Sequence, residues 1–431
     1  MAQFDCIVLG AGIAGVTAAR DLRQKGRKVL VLEGAHRVGG RMCTIRDFVK
    51  NPAFTSSQFP IEAGAEYIHV TLEKRRKFVR RRVGPRRRHR LVRRGPIILG
   101  KYKEFWNEIK QHGFTGRRLP KYGTLPQPGR NRVSFPDWKE PKNLIATMTT
   151  DCPDIWKVVW LFDAIRAFKP GSDPEPAGAF VDHQRYDGKG KPMALYTVSA
   201  HTPGVLDAEE DTISILGIKA DGIPDQLEDP AEYRMEGPGG QIVGYDSLPH
   251  KIVKEFASAS LSGPRGEIRV NHTVTRVERQ PDGTVVVRAT DDRGRVHSFT
   301  SRAAVCTFSV GMLKPNTGQG KKIFGPLLTP EKEMALETIR MGPITKFSLE
   351  FKECVWGDSA MTVLSNPRGG ARTFFSAFPD RKQGPSVMTG LLMGKDHKAV
   401  AKFKEGRKAA EYLFREVEKM FNPDFNKPGK R

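Results

Sequence analysis

Residues 4–33 constrain the fold of this chain more than any other stretch. The apolar run Cys6 to Leu9 reads as a buried parallel strand, because a strand covered on both faces shows no polar alternation. Gly10, Gly12 and Gly15 follow it as G-x-G-x-x-G. The first glycine permits a tight turn, the second lets a ligand approach the backbone, and the third lets a helix pack closely on the strand. Ile13 to Lys25 reads as that helix, with free N–H groups and the positive dipole end facing an anion. A second strand, Lys28 to Leu32, ends at Glu33, whose carboxylate is placed to accept from a ribose hydroxyl. Strand, helix, strand and terminal acid in this order predict an α/β unit that binds a dinucleotide. A βαβ turn without a ligand is the plainer alternative.

The segment that follows, Glu33-Gly34-Ala35-His36-Arg37-Val38-Gly39-Gly40-Arg41, resembles the flavin-containing amine oxidase family. That family includes monoamine, polyamine and L-amino-acid oxidases and their histone-demethylase relatives. The resemblance implies FAD as cofactor. It also implies a Rossmann-like FAD-binding domain interleaved with a second, α+β substrate-binding domain. Cofactor contacts are implied at Gly10, Gly12, Ile13, Ala14, Gly15, Glu33, Gly34, Arg37, Gly39, Gly40 and Arg41. In the family the Gly-Gly-Arg loop wraps the diphosphate, and Arg41 would supply the cation.

Further matches follow in family order. Ile61-Glu62-Ala63-Gly64-Ala65-Glu66-Tyr67-Ile68-His69 resembles the segment that passes beside the flavin. It implies cofactor contacts at Gly64, Ala65 and Glu66, and places His69 on an amine tunnel. Glu236-Gly237-Pro238-Gly239-Gly240 resembles the start of the second cofactor-binding segment. Residues 268–277 are similar to the strand whose valine meets the adenine side, a role carried onto Val274. Thr284 to Ala289 and Val296 to Thr300 alternate like a hairpin. Lys346 matches a family lysine that hydrogen-bonds a water in front of flavin N5. Phe347, Leu349 and Phe351 alternate on one strand face, so Lys346 points to the other. An exposed strand lysine fits that alternation equally.

The domains expected from this resemblance are 1–70 with 236–313 for FAD, and 101–235 with 314–431 for substrate. Residues 71–100 form a basic insert between them. The net charge is +24, and residues 74–94 alone hold thirteen Lys and Arg and no acid. Such a block repels itself and is expected to be disordered. A retained intron or shifted reading frame, an anionic-surface arm and a nuclear targeting patch are its open readings. Phe78 stands alone in the block, so no aromatic ladder for stacking bases is present and no specific nucleic-acid partner is expected.

Five cysteines are scattered without a C-x-x-C pair. That spacing argues for a reducing compartment and against zinc, another metal or a disulfide framework. Cys6 and Cys306 sit in apolar runs and are expected in the core. No apolar run approaches the ~20 residues that span a bilayer, and the first strand begins at once, so a cytoplasmic protein without a signal peptide is expected, with nuclear or peroxisomal placement open.

Family members close with a strand, a Gly-Glu pair and a helix that return to the cofactor. Nothing after Gly369 resembles that segment. Residues 386–422 look instead like the strand Ser386 to Met393 and the amphipathic helix Arg407 to Phe421 that precede it. Weak FAD retention and poor activity are therefore expected. The reaction implied is oxidation of a C–N bond to an imine. FAD takes the hydride equivalent, oxygen is the acceptor and becomes hydrogen peroxide, and water hydrolyses the imine. Polyamine-like amines are the first substrate reading and L-amino acids the second. The rival reading is a non-catalytic dinucleotide-fold protein that binds a polyanion through the arginine block.

Overall fold

The computed structural model describes residues 2–66, 68–73, 78–79, 90–91, 97–98, 102–118, 132–133, 142–143, 230–258, 264, 266–314, 318–339, 344–353, 363–364, 372–378, 384–403 and 405–421. The chain begins with β1 (Phe4–Leu9), α1 (Ile13–Gln24) and β2 (Val29–Leu32). Then come β3 (Thr44–Ile45), β4 (Ile61–Glu62), β5 (Ile68–Glu73), β6 (Phe78–Val79), β7 (Arg90–Leu91) and β8 (Ile97–Ile98). Next are α2 (Tyr102–Gln111), β9 (Thr115–Arg118), β10 (Arg132–Val133), β11 (Lys142–Asn143), β12 (Pro230–Glu236) and α3 (Ser247–Ala257). β13 (Glu267–Arg269), β14 (His272–Arg279), β15 (Val285–Asp291) and β16 (Val296–Cys306) follow. After the short helices Val310–Leu313, Gly320–Phe324 and Pro330–Thr338 come β17 (Ile344–Phe351), β18 (Val363–Leu364), β19 (Arg372–Ser376), β20 (Ser386–Met393), α4 (Gly394–Ala401) and α5 (Gly406–Phe421).

The first sheet has the order β13-β2-β1-β16-β15-β14. β1 runs parallel to both β2 and β16, and β14, β15 and β16 form an antiparallel meander. The continuous apolar runs of β1 and β2 are explained by covering on both faces. Cys6, Val8, Val29 and Val31 join Val16 of α1 and Leu248, Ile252 and Phe256 of α3 on one side. Ile7, Leu9, Leu30 and Leu32 join Val274, Val277, Val287 and Phe299 of the meander on the other. Each such buried side chain is worth roughly 1.5–3 kcal/mol, so this double layer is the main anchor of the fold. α1 is Ala-rich and ends before Gly26, whose φ of +75° reverses the chain.

A second sheet has the order β11-β10-β18-β19-β20-β17. Leu392 of β20 and Phe347 and Leu349 of β17 pack with Val400 of α4 and Leu413 of α5. That packing turns one face of β17 toward the helices, as the alternation of its aromatic and aliphatic residues predicts. A third sheet runs β8-β5-β12-β9.

Two details differ from the sequence reading. α2 was expected with the substrate half, yet Trp106, Ile109 and Phe114 share a core with Val8 and Val16. The helix has an apolar face, and α1 and α3 leave a groove that buries it. Within 71–100, β5 pairs with β8, and β6 pairs with β7. Most of the arginine block lies outside the described residues. Cys306 is exposed rather than buried, because β16 ends there and leaves the sheet. The helical spacing of Trp156, Val159, Trp160 and Phe162 predicts a core stripe over Ile155 to Phe168, a stretch that also lies outside the described residues. Among the described residues, no helix is long and apolar enough to cross a membrane.

Candidate functional site: two glycine turns and an acidic cleft

β1 delivers the chain to Gly10, which adopts a φ of +100°. Its N–H donates to Leu32 O at 2.8 Å, tying the turn to the end of β2. A Cβ on Gly15 would lie 1.9 Å from Gly10 O, so only glycine allows the first turn of α1 to sit on this bend. Gly12 is different, since a Cβ there would meet nothing within 4 Å. Gly12 is also the N-cap of α1, no side chain caps the helix, and its first turn, from Ile13 and Ala14 onward, carries no acid. An uncapped helix start facing open space is what a diphosphate needs. The residues present here therefore fit the phosphate portion of a dinucleotide such as FAD.

Glu33, at the end of β2, already holds the adjoining loops. Its Oε2 accepts from Ala11 N–H at 2.7 Å and its Oε1 from Ala35 N–H at 2.9 Å. Gly34 follows it at the surface and abuts Thr273. Gly39 and Gly40 both have positive φ, +99° and +56°. Gly39 forms a parallel bridge with Gly12, and its N–H donates to Ala11 O at 2.8 Å. The two glycine turns thus meet. Arg37 braces the second of them, donating to Gly40 O at 2.8 Å, Val38 O at 3.2 Å and Met42 O at 3.3 Å. Arg41 is exposed beside it. The cation committed to the loop backbone is Arg37, while Arg41 is the one presented outward.

The next segment lies against this loop. Ala63 N–H donates to Cys43 O at 2.8 Å and Ala65 N–H to Arg41 O at 3.2 Å. A Cβ on Gly64 would fall 1.8 Å from Arg41 O, so the close approach requires glycine. Glu62 is buried, its Oε1 accepting from Tyr245 N–H and its Oε2 from the Thr44 hydroxyl, both at 2.9 Å. Burial pushes its pKa up to about 7; the two hydrogen bonds and Lys346 oppose that rise, and Glu66 adds to it. Glu66 has a side chain only 10% exposed and pairs with Lys346 Nζ at 2.7 Å. Lys346 also donates to Gly64 O at 3.0 Å. β17 therefore carries Lys346 from the second sheet onto the segment that lines the glycine turns.

These acids line a cleft with Ile61, Arg234, Tyr245 and Ala377. Arg234 is buried, donates to Ala377 O and lies 5.4 Å from the Phe378 ring centroid. Val274 turns its side chain into the sheet core, 6% exposed, so only its backbone is available to a ligand. His69 lies on β5 opposite Glu232; its side chain is outside the described residues. Sequence reasoning passed over three residues. Thr307, whose hydroxyl donates to Leu9 O at 2.8 Å, supports the first glycine turn from beyond β16. Glu62 sits in an apolar run where a charge is out of place, which was a usable signal. Arg234 had none, because its burial depends on β12 lying against Ala377.

Residues 153–430 match the family described as flavin containing amine oxidoreductase, and residues 8–81 match that described as an NAD(P)-binding Rossmann-like domain. The chain is similar to probable polyamine oxidase 4 of Arabidopsis thaliana, 23% identical over 427 residues, covering 99% of this chain and 73% of that protein. It is 58% identical over 70 residues to pseudooxynicotine dehydrogenase of Pseudomonas sp, covering 16% of this chain and 12% of that protein. It shares the fold of cyclohexylamine oxidase from Brevibacterium oxydans IH-35A, with a TM-score of 0.62 at 16% identity, over 99% of this chain and 83% of that one.

Proposed function

The chain belongs to the flavin-containing amine oxidoreductase family, which uses FAD to oxidise amines, and from that premise we propose that it oxidises a polyamine-like cationic amine with oxygen as acceptor. The observation that carries this reading is the arrival of Lys346, from a strand far along the chain, on the Gly64–Glu66 segment beside the glycine turns. FAD, when bound, supplies the acceptor for the hydride equivalent. The backbone at Gly12 and the start of α1 would hold its diphosphate, with Glu33 at the ribose, Arg41 nearby and Val274 beside the adenine. Gly39 and Gly40 would close the loop over it. Lys346 would hold the reactive water, with His69 lining the path of the amine. The substrate half of the molecule would be built on the sheet that carries β17.

The polyamine-like reading is supported by the similarity to a probable polyamine oxidase over 99% of this chain. The similarity to a pseudooxynicotine dehydrogenase over 70 residues is the ground for including pseudooxynicotine as a second substrate reading.

The test is the absorption spectrum of the purified chain before and after FAD addition and desalting. An anaerobic amine panel follows, containing a polyamine, cyclohexylamine, pseudooxynicotine and an L-amino acid. Retained flavin bands that bleach with one amine and recover with oxygen and peroxide release are expected. Flavin bands that no amine bleaches would overturn the substrate reading. A colourless protein whose binding to a polyanion falls steeply with salt would favour the non-catalytic alternative.

A further inference from the structure

We propose that Glu66 is the positioning residue for Lys346, an anion whose ion pair holds the ammonium group where it donates to the Gly64 carbonyl. The inference rests on the proposed amine-oxidising role of this cleft. An ammonium group has three donors. One of them donates to Gly64 O at 3.0 Å, and Glu66 Oε2 lies 2.7 Å from the nitrogen as an ion pair. Both partners come from one stretch of three residues, so they fix the amine in distance and direction at once. A lysine is otherwise a compact charge on a flexible four-carbon stem.

The clamp is well placed to hold. Side-chain exposure is 14% for Lys346 and 10% for Glu66, so water screens the pair little. Gly64 sits where a Cβ would fall 1.8 Å from Arg41 O, so its backbone lies close against that of Arg41. The strand behind Lys346 is set by its antiparallel register, with Lys346 opposite Leu391, and by Phe347 and Leu349 packed on the other face.

The neighbouring charges explain why Glu66 is the partner. Glu62 faces the same cleft, but both its oxygens are engaged by Thr44 and Tyr245, and burial holds it near neutrality. Arg46 is paired with Asp246 on the far side of Thr44. Arg234 is committed to Ala377 O and the Phe378 ring.

The test measures the acylation rate of Lys346 by mass spectrometry in the full chain, without added FAD or amine. Lys251, whose Nζ donates to His112 O at 2.8 Å, is the internal control. In Glu66→Gln the amine loses its anionic partner, and Lys346 acylation should rise about fivefold or more with Lys251 unchanged. Glu66→Asp, shorter by one methylene, should give an intermediate rate. Parent-like acylation in a folded Glu66→Gln chain would overturn the proposal. Should that variant not fold, a parent-like rate in Glu66→Asp would overturn it equally. When the flavin-loaded protein turns over an amine, Glu66→Gln should lower kcat with KM little changed, partly rescued by Asp; equal kcat in parent and Gln would also overturn it. Because acylation needs no flavin, loss of protection in an inactive chain would support the clamp while refuting the amine-oxidising reading.

Discussion

Gly12 and Gly39 are joined by a parallel backbone bridge, and this contact makes one floor out of two turns that come from opposite ends of the β1-α1-β2 unit. The turn after β1 and the turn after β2 could each form alone. Their meeting requires glycine on the second turn, since a Cβ on Gly39 would lie 2.7 Å from Met42 O and one on Gly40 3.3 Å from the Gly12 Cα.

Gly12 and Gly15 separate binding from folding. A methyl group on Gly15 strikes Gly10 O, so Gly15→Ala should destabilise the chain by ~3 kcal/mol or more and lower its melting midpoint by several degrees. Gly12→Ala meets no atom of the protein, and its φ of −70° suits alanine. It should leave the melting midpoint within ~2 °C while weakening FAD binding about tenfold, as read by fluorescence titration. Equal FAD affinity in Gly12→Ala and parent would remove the phosphate assignment.

Glu33 has a structural task as well as its proposed contact with the ribose. Glu33→Ala leaves the N–H groups of Ala11 and Ala35 without their charged acceptor. A loss of roughly 1.5–3 kcal/mol in urea unfolding is expected without FAD, because bonds to charged groups are worth about that much. Unchanged stability would mean that water replaces the carboxylate at the turn.

Glu62 makes stability depend on pH in a definite direction. Its native pKa is raised to about 7 from 4.5, so between those values the native state holds a proton that the unfolded chain has released. Stability attributable to this group therefore falls as pH rises from 4.5 to about 7, by on the order of 3 kcal/mol, and is level above that. Glu62→Gln removes the titration and can still accept from Tyr245 N–H, with Thr44 rotating to receive the amide. The variant should gain stability relative to the parent as pH rises through this window. A difference between the two that is independent of pH would refute the assignment.

Gly64→Ala tests the seam between the second glycine turn and the cleft. The added methyl group would overlap Arg41 O, so the two backbones must part. A loss of ~2–3 kcal/mol is expected, together with faster acylation of Lys346 as its carbonyl anchor moves. Parent-like stability would show that the seam relaxes without cost.

What could be read directly from the chain was local and periodic. The βαβ unit was legible to within a residue or two, because an apolar run, three spaced glycines and a terminal acid each have a short-range physical cause. The strand Ser386–Met393 and the helix after it were legible for the same reason. The face of β17 that carries Lys346 followed from alternation alone. Partners were not legible. Nothing near Lys346 in sequence shows that its ammonium would meet Glu66 and Gly64, or that α2 would pack on α1 and α3. Nor does a two-residue period reveal that Glu62 is dry enough to hold a proton near neutral pH. Periodicity reports which way a side chain points, and that is a property of a few consecutive residues. Ion pairing, burial and shifted protonation depend on what the rest of the fold brings opposite, and here that was decided when β17 crossed over to the glycine turns.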